Sequence, residues 1–397
     1  MKPAVAAVIG AGPAGLRAAE LLATAGLQTR IFEQKPSLGR KLLVAGRGGL
    51  NLTHSEPFEK FYTRYDEPKR WEKLLRRFPP EAALAWYAGL GVSTFVGTSG
   101  RVFPRTLRAP AVLEKWLERL DSLGCDFQTS HRFHHLIGHR PFDLVFQRGD
   151  QFSLVTCDVV IFAMGGGSWP QTGSDGNWIE QFRNMGININ DFTPSNVGWE
   201  YGWSEEFLKV ADGKPLKNLA VTCCGRTVRG ELLITRYGLE GGALYALSQE
   251  LRRDSEISID FKPDVSISDL KQRWRPNGGP VVESAQRSWN LSASAALMIQ
   301  EMMRPKTVSD LIRAVKDCRM RLAQARPLDE AISSAGGVNW TELNDDLMLK
   351  KYPGLFCAGE MIDWDAPTGG YLLQGCLVTG TVAGEGAVKW IANAMKR

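Results

Sequence analysis

The 397-residue chain lacks any CxxC pair. Its seven cysteines are Cys125, Cys157, Cys223, Cys224, Cys318, Cys357 and Cys376, an odd number at irregular spacing. That pattern excludes a thiolate zinc site of ordinary spacing and a thioredoxin-like dithiol, and it fits reduced thiols in a cytoplasmic protein. The vicinal pair Cys223-Cys224 reads as alternating strand packing. No run reaches eighteen apolar residues, so no membrane span is expected. The apolar N-terminus is interrupted by glycines and Pro13, which argues against a signal peptide. No block of like charge forms a basic tail, and a net charge of +5 is too diffuse to argue a nucleic-acid partner. Histidines are few. His131, His134, His135 and His139 cluster, but no cysteine or carboxylate accompanies them at ligand spacing, so no metal site is expected. Repeats and low-complexity tracts are absent. A hydrophobic content of 44% and a charged content of 23% are those of a globular protein. The length suggests roughly two or three domains.

Against these absences stand the first thirty-three residues. Ala4 to Ile9 is an apolar run followed by Gly10-Ala11-Gly12-Pro13-Ala14-Gly15. An amphipathic stretch from Leu16 to Ala25 follows, closed by Gly26, and then the β-prone Gln28 to Glu33. Strand, glycine turn, helix and acid-tipped strand form the context that a dinucleotide fingerprint requires. Gly10 permits the tight turn, Gly12 lets a pyrophosphate approach the backbone, and Gly15 lets helix and strand pack closely. The helix start offers free N–H groups and a partial positive charge to phosphate. Glu33 can accept both hydroxyls of an adenosine ribose, which favours FAD or NAD over NADP.

Beyond Glu33 the stretch through His54 is rich in glycine and cations and is expected to be irregular, a loop wrapping the rest of the cofactor. Helices are expected over Lys69 to Phe78, Glu81 to Leu90 and Ala109 to Leu123, with short strands between Cys125 and Cys157 and a hairpin turn at Gly149-Asp150. Asp158 to Ala163 reads as a strand buried on both faces, ending in a second glycine turn, Met164 to Gly167. Near Asp191 the texture changes to alternating runs and then short helices, among them a helix from Gly241 to Arg252. The Met298, Met302 and Met303 stripe there reads as core. A strand at Leu355 to Ala358, a third turn and a long glycine-bearing helix opened by Thr368 to Tyr371 return to the first pattern. The fold class expected is α/β: a discontinuous Rossmann-like domain over 1–190 and 336–397, with an inserted β-rich then helical domain over 191–335.

Three glycine turns in this order resemble the two-dinucleotide-binding-domain flavoproteins. More narrowly, Gly39 to Leu43, Asn51-Leu52-Thr53, Gly165 to Ser168, and Gly359-Glu360 with Gly369-Gly370-Tyr371 resemble the BaiN/YhiN-like family of FAD-dependent oxidoreductases. Thr235 to Gly241 and Gly336 to Val338 add to the likeness, which covers essentially the whole chain. One departure stands out. The family usually carries Gly-Arg-Cys-Asn in its loop, and here Leu50 replaces the cysteine, marking a subgroup with a Gly-Arg-Gly-Gly-Leu-Asn loop. Chemistry resting on that thiol is excluded, and Gly39 to His54 holds no cysteine for a disulfide reductase.

The resemblance implies non-covalent FAD. Gly10, Gly12, Pro13, Ala14 and Gly15 would hold its pyrophosphate, and Glu33 with Gln34 its ribose. Arg40 and Lys41 would flank phosphate and ribityl groups. Gly46, Arg47, Gly48, Gly49 and Asn51 would lie against the isoalloxazine. Ala163, Met164, Gly165 and Gly166 would approach from the second turn, and Gly359, Glu360 and Asp363 from the third. Gly370, Tyr371 and Leu372 would set a helix start at the flavin edge that becomes negative on reduction. Phe133 belongs to the same implied set. The activity implied is hydride transfer from NAD(P)H through FAD to a small organic acceptor such as an enone. Arg47 or Arg236 could polarise a carbonyl and Tyr237 could supply a proton, though structural roles compete for all three. A single full GxGxxG predicts a donor that visits transiently, and hence ping-pong kinetics. An RNA-associated flavoprotein and a non-catalytic redox sensor remain the alternatives. The sequence does not specify oligomeric state.

Overall fold

The computed structural model describes residues 3–46, 49–394 and 396; Arg47 and Gly48 of the glycine loop lie outside the described residues. The chain forms two compact units, Met1–Thr193 with Ile332–Arg397, and Pro194–Ala331. These limits differ from the expected 190/191 and 335/336. The strands Ile189–Ser195 and Ser333–Val338 pair as a two-stranded sheet of their own, which keeps 191–193 and 332–335 with the first unit.

The first unit opens with β1 (Val5–Ile9), α1 (Pro13–Thr24), β2 (Gln28–Glu33) and α2 (Arg40–Ala45). Its main sheet has five parallel strands in the order Leu355–Cys357, Val159–Phe162, β1, β2, Asp126–Thr129. Ala6 to Ile9 and Val159 to Phe162 are buried along their whole length, as strands covered on both faces require. The glycine turns follow the carboxyl ends of β1, Val159–Phe162 and Leu355–Cys357, which is where an open α/β sheet presents ligands. Two smaller antiparallel sheets complete the unit. Arg132–Ile137, Phe142–Arg148 and Gln151–Cys157 form one, with Gly149-Asp150 as the two-residue turn between Arg148 and Gln151. Thr53–His54, Arg101–Pro104 and Thr94–Val96 form the other.

The glycine-rich stretch is less irregular than its composition indicates. Gly39, at φ 64°, turns the chain into α2, and buried Leu42 anchors that short helix. Helices Pro68–Arg77, Pro80–Gly89 and Ala109–Ser122 lie where helical spacing places them, each with proline in its first turn. A buried polar knot ties the second and third of these to α1. The Glu20 carboxylate, 2% exposed, accepts from Trp86 Nε1 at 2.9 Å and pairs with Arg17 at 3.1 Å and Arg119 at 2.8 Å. A buried carboxylate so surrounded is compensated, where an isolated one would not be. The C-terminal helix Tyr371–Ala394 packs on α1, and a Cβ at Gly380 would lie 2.3 Å from the Ala14 carbonyl oxygen.

The second unit holds a six-stranded antiparallel sheet in the order Trp199–Glu200, Gly238–Glu240, Arg226–Thr235, Pro215–Cys223, Glu256–Asp260, Cys318–Arg321. Helices Ile267–Arg273, Val281–Trp289, Ala293–Met303 and Val308–Lys316 accompany it. The expected helix from Gly241 to Arg252 is two short ones, Gly242–Tyr245 and Ser248–Leu251. Cys224 is exposed in a hairpin turn at φ 47°, so the vicinal pair is strand end plus turn, not strand alternation. Met298 is buried while Met303 is 40% exposed, so the methionine stripe runs from core to solvent. Among the described residues no helix is long and apolar enough to cross a membrane.

Candidate functional site

The first turn is built by close approach. A Cβ on Gly15 would lie 1.9 Å from the Gly10 carbonyl oxygen, which only glycine avoids. Gly12 precedes α1, Pro13 occupies the first helical turn and Ala14 follows. A Cβ on Gly12 would meet nothing within 4 Å, so the backbone there faces open space at the positive end of a helix. Glu33 stands at the tip of β2. Its Oε2 accepts from the Ala11 N–H at 3.1 Å and its Oε1 from the Lys35 N–H at 2.9 Å. Burial pushes this carboxyl above the usual range, and those two N–H groups pull it back. Gln34 donates to the Gly173 carbonyl at 2.6 Å and so ties β2 to the loop after the second turn.

One cation of α2 ties the second and third turns together. Lys41 Nζ lies 2.5 Å from Glu360 Oε2 and donates to Ser168 Oγ at 2.7 Å. Glu360 Oε1 accepts from the Ser334 N–H at 3.0 Å, and Ser334 Oγ accepts from the Gly167 N–H at 3.1 Å. Lys41 and Glu360, each read as a ligand-binding residue, thus bind one another. Trp178 Nε1 donates to the Gly165 carbonyl at 2.9 Å, which fixes the turn that carries Ala163, Met164 and Gly166. A Cβ on Gly359 would lie 2.8 Å from the Ala14 Cβ, so the third turn sits on the start of α1. Asp363 accepts from Asn190 Nδ2 at 2.6 Å, and burial pushes its carboxyl up. Arg40 donates to Ser37 Oγ at 3.1 Å, and its buried Nε has no partner.

The head of the C-terminal helix completes the set. Gly370, at φ 105°, lies so close to Thr53 that a Cβ would come within 2.6 Å of its Cα. Asn51 Oδ1 and Thr53 Oγ1, both buried there, lack hydrogen-bond partners. Tyr371 donates through its hydroxyl to Glu56 Oε1 at 2.6 Å, and Tyr65 donates to the Tyr371 carbonyl at 2.8 Å. Arg64 grips Glu56 with two bonds of 2.9 and 2.6 Å. Burial alone would raise the Glu56 carboxyl, but bonds from Arg64 and Tyr371 hold it below the usual range. Leu372 is half-buried. Glu56, Arg64 and Tyr65 escaped the sequence reading, and no spacing signal could have found residues that meet Tyr371 across about 300 positions.

Orphaned polar atoms at Arg40, Asn51 and Thr53 and the open face at Gly12 fit a long polar cofactor such as FAD laid over the turns. Gly46 packs against Ala109, and Gly49 lies over Phe103. Phe133 is different. Its ring is 8% exposed and packs edge-on against Phe146 and Phe162, so that side chain serves the core. In the second unit, Arg236 is exposed, with its Nε 4.0 Å from Asp212. Tyr237 donates to Glu240 Oε2 at 2.5 Å under the Arg326 guanidinium. Burial and then Glu240 push its hydroxyl pKa up, so it holds its proton tightly.

A family model described as the HI0933-like protein Rossmann domain matches residues 4–386. The chain belongs to this family. Membership makes it a Rossmann-fold flavoprotein of the oxidoreductase class. Among its relatives is the 3-dehydro-bile acid delta(4,6)-reductase of Clostridium scindens, 26% identical over 96% of this chain and 98% of that one. Another is the ribosomal RNA dihydrouridine synthase of Escherichia coli, 23% identical over 93% of this chain and 94% of its own length. Among solved structures, the 3-ketosteroid-delta4-(5alpha)-dehydrogenase of Rhodococcus jostii RHA1 shares the fold, with a TM-score of 0.55 at 14% identity over 97% of both chains.

Proposed function

We propose that this member of the family is an FAD-dependent reductase that takes a hydride from NAD(P)H and delivers it to a polarised C=C of a small organic acceptor. The observation that carries the reading is the head of the C-terminal helix, where Gly370 is pressed against Thr53 beside two orphaned buried oxygens. Bound FAD supplies reversible hydride storage between donor and acceptor. The N–H groups that open the helix stabilise negative charge at its edge. Glu33 and the N–H groups of α1 bind ribose and pyrophosphate. The Lys41–Glu360 pair holds α2 against the second and third turns. In the net reaction the donor loses a hydride, the acceptor's β-carbon gains it, and the α-carbon takes a proton.

The bile-acid reductase supports an enone acceptor, and seven unpaired cysteines fit a reducing, cytoplasmic setting. FAD held by these contacts alone is non-covalent. The dihydrouridine synthases support a second reading, reduction of a uracil C5–C6 double bond in RNA, since that bond is also conjugated to a carbonyl. The test is anaerobic. Photoreduced protein is mixed with a 4-ene-3-ketone or with a uridine-bearing RNA, and flavin reoxidation is followed. Rapid reoxidation by the enone, with NADH or NADPH able to reduce the flavin again, is expected. Parallel double-reciprocal lines should accompany turnover. Reoxidation by RNA alone favours the second reading, and by neither contradicts both.

A further inference from the structure

One face of the small sheet beside the site carries an aromatic and cationic arrangement. On the strand Arg101–Pro104, Val102 and Pro104 are buried, so Arg101 and Phe103 share the opposite face. Phe95 is paired across from Phe103, and the two rings stack with centroids 5.6 Å apart. His54 is paired across from Arg101. The flavin loop and the helix head both lie on this face. A Cβ on Gly49 would be 3.5 Å from the Phe103 ring, and one on Gly369 would be 3.3 Å from Arg101 Nε.

The charge on this face is uncompensated. Among the described residues, Arg101, Arg105 and Arg108 make no ion pair and no side-chain hydrogen bond. The nearby Glu56 carboxylate is already held by Arg64 and Tyr371. His54 is no anion, because its Nδ1 accepts the Glu56 N–H and its Nε2 is therefore the donor to the Ser99 carbonyl. From Gln34 to Ser55 the chain carries Lys35, Arg40, Lys41 and Arg47 and no acid; from Gly91 to Leu113 it carries Arg101, Arg105 and Arg108 and no acid. Two of these arginines also stand at the wrong ends of helices. Arg108 is the N-cap of Ala109–Ser122, and Arg101 touches the bend that opens Tyr371–Ala394. A cation at a helix start is repelled unless an anion lies beside it. Arg40 and Lys41 lie by the first and third turns, where the pyrophosphate belongs, which leaves Arg101 with no anion of the cofactor's own phosphates.

We infer that Arg101 selects an acceptor that carries a carboxylate on a flat apolar body, the body lying on Phe95 and Phe103. The inference rests on the flavin reading of the site and adds the charge class of the substrate. A small carboxylate is favoured over RNA because Arg101 alone of these cations shares a sheet face with the two aromatic rings, and no basic-aromatic stripe appears in the sequence.

The test uses the FAD-loaded full chain and a matched pair of probes, 2-naphthoate and 2-naphthamide, titrated while the flavin absorption band is followed. The wild type should bind the carboxylate at least about tenfold more tightly, the scale of one charge-assisted bond. Arg101→Gln should bring the two within about twofold, and Arg101→Lys should retain part of the preference. The flavin reduction potential of Arg101→Gln is measured beside that of the wild type, to separate an effect on the flavin from an effect on the acceptor. Equal binding of the pair by the wild type overturns the inference. So does a preference that survives Arg101→Gln, or a shifted potential with the preference intact, which would assign Arg101 to the flavin itself. Competition by an RNA oligonucleotide without carboxylate preference likewise overturns it. Failure of enones to reoxidise the reduced protein contradicts only the proposed function.

Discussion

Lys41 Nζ and Glu360 Oε2 stand 2.5 Å apart, although 319 positions separate them in the chain. Their side chains are 27% and 12% exposed, between the regimes in which ion pairs are worth nothing and in which breaking one is severe. Lys41→Met and Glu360→Gln should each lower the melting temperature and weaken FAD binding. A double-mutant cycle should give a coupling of about 1–3 kcal/mol. Additive losses would show that the two residues act on the cofactor separately.

Glu33→Ala removes the acceptor for two backbone N–H groups as well as the proposed ribose contact. FAD affinity should fall by about 1.5–3 kcal/mol per charge-assisted bond lost, measured by titrating the apoprotein. Glu33→Gln, which keeps an acceptor but not the charge, should fall between. An unchanged dissociation constant in Glu33→Ala would place the ribose elsewhere.

The Glu56 carboxyl, held low by Arg64 and Tyr371, gives a pH dependence of known sign. A carboxylate whose folded pKa lies below its unfolded value of about 4.3 contributes stability that is fully present above that value. The contribution is lost as pH falls through the lower, folded pKa. Melting temperatures taken between about pH 3 and 7 should therefore drop toward the acid end in the wild type, and Glu56→Gln should flatten that part of the profile. An identical acid limb in the variant would remove Glu56 from the stability of the helix head.

What the sequence made legible was local. Gly10, Gly12 and Gly15 sit between a strand and a helix, and each glycine's role follows from its immediate neighbours. The apolar strands Val159–Phe162 and Leu355–Cys357 and the long C-terminal helix announce themselves by composition. The helix α2 did not, because its six residues depend on the turn at Gly39 and one buried leucine. Pairs that close the site over long separations carry no local signal: Lys41 with Glu360, Tyr371 with Glu56. Side-chain surroundings were equally beyond the sequence. The ring of Phe133, which the resemblance places in the cofactor set, packs in the core, and Tyr237, a candidate proton donor, gives its hydrogen bond to Glu240.

The central claim, that the three turns hold FAD without a covalent link, is tested most directly by the visible spectrum of the purified protein and of its acid supernatant. The protein should be yellow, or become so on reconstitution, with one flavin per chain. Acid precipitation should leave a white pellet and release intact FAD into solution. A colourless protein that takes up no FAD, or flavin that stays with the acid pellet, would contradict the account.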